Sequence, residues 1–128
     1  MEATTSFHDL RMWQEAHTFV LEVYKTTELF PKHELFGLVS QFRRASVSIP
    51  ANISEGYKRK GKVEKLRFFN IAQGSLEECR YYILLSKDLH YIDENQQLLL
   101  NIRIEETSKS LNMYCNKVTL DIQHQQSK

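Results

Sequence analysis

The residues that could do covalent or metal chemistry in this chain are five histidines, two cysteines and sixteen aspartates and glutamates, and their spacing assembles no familiar site. A di-metal centre in a helical bundle needs Glu-x-x-His on two helices, so that both ligands project from one face. No glutamate here has histidine three residues on. His8, His17, His33, His90 and His124 stand far apart and share no ligand spacing. HExxH and a Walker loop are absent, and Lys60-Gly61-Lys62 reads as an ordinary turn. Cys79 and Cys115 lack CxxC spacing and fall within helical apolar patterns, which marks them as reduced, buried thiols. No serine or cysteine has a base assignable from local sequence. The expectation is a protein that is not an enzyme, with no catalytic residue, no metal and no cofactor.

Two polar features remain. Gln41, Arg44, Ser48, Asn52 and Glu55 fall on one side of a helical wheel, opposite an apolar face. Such a stripe either fixes register through ion pairs with neighbouring helices or another subunit, or lines a site; the structural reading is the expected one. The second feature is basic. Residues 43–67 hold eight basic side chains against two acidic ones, which leaves nine basic against fourteen acidic in the rest of the chain. Of these, Arg43, Lys58, Arg59, Lys60, Lys62, Lys65 and Arg67 are the candidates for neutralising nucleic-acid phosphates. A lysine-rich turn is more often a solvated surface, and one copy offers few charges. Several copies around an axis would multiply them.

The elements that must position these residues are helical. Trp13, Ala16, Val20, Val23 and Thr27 recur at helical spacing and predict a first helix over about 7–28, with Ser6 and Asp9 near its start and Phe30-Pro31 after its end. Leu35, Val39, Phe42, Ser46, Ile49 and Ile53 predict a second over 33–56, kinked at Pro50 and stopped at Gly56. Phe69, Ala72, Leu76, Cys79 and Ile83 give a third over 63–89. Gly74 in its middle costs about 1 kcal/mol of helix propensity, which predicts close approach of another backbone. Phe68, Ile71 and Tyr82 widen this helix's apolar arc to roughly 160°, more than its own neighbours should cover, and so become candidate oligomer contacts. Asp93 with Gln96 opens a fourth helix over 94–122, whose seam is Leu100, Ile104, Thr107, Leu111, Tyr114 and Val118. Residues 1–6 are expected to fray and the tail 123–128 to be disordered. With no segment of strand period, the fold expected is all-α: one domain, an up-down-up-down antiparallel four-helix bundle.

Composition agrees with that class. The chain has 128 residues, 41% hydrophobic and 26% charged, with only four glycines and two prolines. Its net charge is +1, so any affinity for polyanions must come from uneven distribution. No apolar run is long enough to span a membrane, and the start carries Glu2 with no apolar core of a signal peptide, so a cytoplasmic protein with no membrane partner is expected.

QFRRAxxSIPxNIxEG over residues 41–56 and FFxIAxGSLxE over residues 68–78 resemble the bacterial four-helix-bundle family associated with intervening sequences of large-subunit ribosomal RNA. KDLxYI over 87–92, WQxA over 13–16 and FPxxEL over 30–35 extend the likeness to about residues 7–92. The resemblance implies a ring-like homo-oligomer, with a pentamer as the expectation. A related branch is the accessory variability determinant of diversity-generating retroelements, a basic protein that works with a reverse transcriptase and its RNA. This chain departs from that branch in its net charge of +1 and in a fourth helix that is not notably basic. The reading that follows is a homo-oligomeric bundle binding RNA or a ribonucleoprotein through its basic hairpin. The alternative is a protein-binding or scaffolding oligomer with no nucleic-acid role.

Overall fold

The computed structural model describes residues 6–127. Four helices, α1 (Arg11–Thr27), α2 (Ser40–Lys58), α3 (Lys62–Asp88) and α4 (Glu94–Gln126), pack antiparallel with no strand among the described residues. Each sequence-defined stripe turns inward. Ala16, Phe19 and Val23 of α1 meet Phe42, Ile49 and Ile53 of α2, Phe69, Leu76 and Ile83 of α3, and Leu100, Ile104 and Leu111 of α4, all essentially without exposure. The core polar groups are small hydroxyls bonded back to their own helices, such as Ser46 to the Arg43 carbonyl and Thr107 to the Arg103 carbonyl. Trp13 and Tyr114, expected in the seams, are only partly buried at its edge.

The ends of the elements differ from their sequence assignments. Ser6 caps a separate 3-10 turn, Phe7–Asp9, and Leu10 is extended, so α1 starts at Arg11 and not at residue 7. The fraying expected of residues 1–5 lies outside the described residues. The second helix is preceded by a 3-10 turn, Lys32–Glu34, and a wide π-type turn, Leu35–Val39, and the break in it lies at Gly37 (φ −109°, ψ −112°). Pro50 is buried within a single continuous helix. Leu35, placed in the core by its spacing, is consequently half exposed. Gly56 does not stop α2, which runs on to Lys58. A Cβ at Gly74 would meet nothing within 4 Å, so no backbone approaches there; the close approach is at Gly56, where a Cβ would lie 2.6 Å from the Phe69 ring. The tail expected to be disordered is helical through Gln126.

The α3–α4 connection is specified locally. His90 takes a left-handed conformation (φ 63°) while its N–H bonds the Lys87 carbonyl and the Tyr91 N–H bonds the Ser86 carbonyl, a Schellman closure. Asp93 then accepts the Gln96 N–H at 2.8 Å and Gln96 accepts the Asp93 N–H at 2.8 Å, so the predicted capping box forms. None of the helices described is long and apolar enough to cross a membrane.

Candidate nucleic-acid interface

The basic hairpin joins α2 to α3 at one end of the bundle. Arg59 leaves α2 with extended backbone, and Gly61, also extended, precedes α3 without a side-chain cap. Lys65 closes the turn from the α3 side. Its ammonium donates to the Gly56 carbonyl at 2.9 Å and the Tyr57 carbonyl at 2.7 Å, two of the last carbonyls of α2. It also lies 5.4 Å from the Tyr57 ring centre and 6.0 Å from that of Phe69. Partial burial draws its pKa below the ordinary lysine value. Lys65 therefore has a structural task in the hairpin.

The other cations divide into paired and unpaired. The guanidiniums of Arg59 and Arg67 both stack on the ring of Phe68, at 4.7 and 4.8 Å. Each also meets a nearby carboxylate, Arg59 with Glu55 of α2 at 3.1 Å and Arg67 with Glu64 of α3 at 3.2 Å. Lys62 reaches Asp121 of α4 at 3.7 Å. Lys58 and Lys60 are exposed and have no ion pair among the described residues. Arg43 belongs elsewhere. It lies fifteen residues up α2 from Lys58, about 22 Å along the helix axis. There it donates to Thr27 Oγ1 at 2.9 Å and meets Glu28 at 3.3 Å, and its guanidinium lies 4.6 Å from the Tyr24 ring centre. The run of charge in the sequence is thus split between the two ends of the bundle.

The polar stripe is only partly a network. Ser75 of α3 donates to Ser48 Oγ at 2.8 Å, and Asn52 donates to both the Ser48 hydroxyl (3.0 Å) and its carbonyl (2.8 Å). Glu55 turns to Arg59, while Gln41 and Arg44 are exposed and join neither. Of the candidate contact residues, Phe68 is half-buried under its two arginines. Tyr82 packs on Phe42 with its hydroxyl donating to Glu78 at 2.9 Å, and Ile71 remains 42% exposed.

The most exposed apolar residues are ones the spacing did not single out. Phe36 is 92% exposed and Leu29 78%, both near the break at Gly37. On α4, Leu98, Ile102, Met113 and Leu120 form a second apolar line along the outer side, 59, 47, 65 and 64% exposed. A signal for that line was present: these positions recur at helical spacing with Glu105 and Lys109 between them, masked by the stronger inner seam.

Nothing at the site assembles a metal or nucleophile. No group of three His, Cys, Asp or Glu is placed to hold a metal ion among the described residues. Cys79 and Cys115 are buried and unbridged. Burial pushes both thiols up, Cys115 to about 11, so neither is a thiolate at neutral pH.

A family model described as 23S rRNA-intervening sequence protein matches residues 8–113, from the start of the bundle into the second half of α4. One solved structure, described as a protein with unknown function from the S23 ribosomal protein family from Bacteroides thetaiotaomicron, superposes with a TM-score of 0.75. It is 23% identical, and the match covers 82% of this chain and 95% of that one, a likeness of fold. No curated protein matches the chain.

Proposed function

The chain belongs to the 23S rRNA-intervening sequence protein family, and on that footing we propose that it is a non-enzymatic, homo-oligomeric bundle that binds RNA or a ribonucleoprotein through the α2–α3 hairpin. The observation that carries the reading is the hairpin's charge: residues 58–67 hold six basic side chains against one acidic. Lys58 and Lys60 are exposed with no ion pair among the described residues, and the guanidiniums of Arg59 and Arg67 lie over the Phe68 ring, groups suited to phosphate or a base face. Assembly supplies what one hairpin lacks. Copies arranged so that their hairpins share one rim raise the local density of cations and the avidity for a polyanion. A pentamer is the expected number. The exposed apolar side chains on α2's approach and on α4 support association of identical chains.

One observation favours the other reading, an oligomer that binds protein only: Arg59, Lys62 and Arg67 each already meet a carboxylate of the same chain. The two readings separate by RNA affinity of the wild type and of a Lys58/Arg59/Lys60/Lys62→Ala variant, measured by filter binding across a salt series. The RNA-binding reading expects affinity that falls with salt and a loss of tenfold or more in the variant at low salt. Equal affinity of the two proteins, or no binding, supports the scaffold instead.

A further inference from the structure

The exposed outer ridges of α2 and α4 match one another in level, direction, shape and charge. Ser48 of α2 bonds Ser75 of α3, and Gln73 of α3 bonds Asn112 of α4, so Ser48 stands level with about Ser110. Both helices run in the same direction along the bundle. Carrying that level along the two helices pairs the residues of one ridge with those of the other. Half-buried Ser40 comes level with Ile102, beside a shallow depression of about 400 Å³. Exposed Ala51 comes level with Met113. Small residues on one ridge therefore stand where large ones stand on the other, the relation needed for helices to interlock. Between them, Arg44, which has no ion pair among the described residues, is level with Glu106, which is exposed and meets only Arg103 at 3.5 Å. Val47 would lie on the aliphatic stem of Lys109.

In one bundle these ridges sit on diagonal helices and cannot touch, because α2 packs on α1 and α3, and α4 on α3 and α1. Their complement is therefore a second copy. We propose that the outer ridge of α2 in one copy packs parallel on the outer ridge of α4 in the next, with Ser40 against Ile102, Ala51 against Met113 and Arg44 against Glu106. Such a contact is heterologous. Because the two ridges share one level, each added copy brings rotation without rise, the condition under which head-to-tail contacts close into a ring instead of climbing as a filament. All hairpins then lie on the same rim. The inference rests on the assembly proposed above and adds which surfaces make it.

The test compares solution mass, by light scattering on a sizing column, for the wild type, Arg44→Glu, Glu106→Arg and the double variant. The wild type should have several times the mass of one chain, each single reversal should bring it to that of one chain, and the double variant should restore it. Mixing Ala51→Cys with Met113→Cys chains under oxidation should cross-link between copies only in the mixture. A wild type with the mass of one chain overturns the assembly itself. A multimeric wild type whose mass no reversal changes, as when RNA or another protein covers these ridges, overturns this contact and leaves the assembly standing. Cross-linking of Ala51→Cys chains to one another overturns it in favour of a two-fold pairing.

Discussion

A methyl group at position 56 would lie 2.6 Å from the ring of fully buried Phe69 and 3.1 Å from the Lys65 carbonyl. The ring has core on its far side and the carbonyl is backbone, so neither can retreat cheaply. Gly56→Ala is expected to cost about 1–3 kcal/mol in urea denaturation; an unchanged midpoint would mean that the hairpin yields. The sequence made this glycine visible as punctuation, but its reason is a contact thirteen residues away. Lys65 is similar: its type suggested a phosphate ligand, and only the fold reveals the two carbonyls it holds. Glu34 was marked only as a letter of the FPxxEL likeness, with no role attached to it. It accepts the Leu38 N–H and the Tyr91 hydroxyl, with His33 adding attraction, and these outweigh desolvation to hold its carboxyl below the ordinary value. The unfolded chain therefore takes up this proton more readily than the folded one, and the contribution is complete above the ordinary carboxylate range and lost as pH falls through the lowered value. The stability advantage of wild type over Glu34→Gln should shrink between neutral pH and about pH 3; a constant gap contradicts this role.

At the scale of elements, the four helices were legible because each has an apolar stripe of helical period. Their breaks were less so. A buried proline within a helix forfeits one hydrogen bond and crowds the preceding turn, yet α2 runs unbroken through buried Pro50. At Gly37 the departure is tied instead to Glu34, whose partner Tyr91 lies 57 residues further along the sequence. Where determinants are local, the reading was accurate. The box of Asp93 and Gln96 needs only four consecutive residues, and Asp93→Ala should lower thermal stability by about 1 kcal/mol through loss of the side-chain bond that accepts the Gln96 N–H. An unchanged melting curve would mean that tertiary packing alone starts α4. The outer line of α4 was hidden for a different reason. A helix with apolar residues on opposite sides has weak amphipathic contrast, and its inner seam gives the only clear phase.

For the whole molecule, the fold class could be read from the chain, and the location of the basic hairpin with it. The distribution of charge could not. Arg43 and the hairpin are neighbours in composition but about 22 Å apart along α2, so the basic hairpin is confined to one end of the bundle and is not a continuous flank. On the RNA-binding reading, affinity depends on copy number: one hairpin has six basic residues, one of them committed to carbonyls and three to carboxylates. The most direct measurement is the slope of log affinity against log salt for single-stranded RNA on the wild-type protein. At about 0.7 per phosphate neutralised, six contacts give a slope near −4. A rim built from several hairpins predicts a slope steeper than that, whereas a flatter slope, or no binding at low salt, would contradict it.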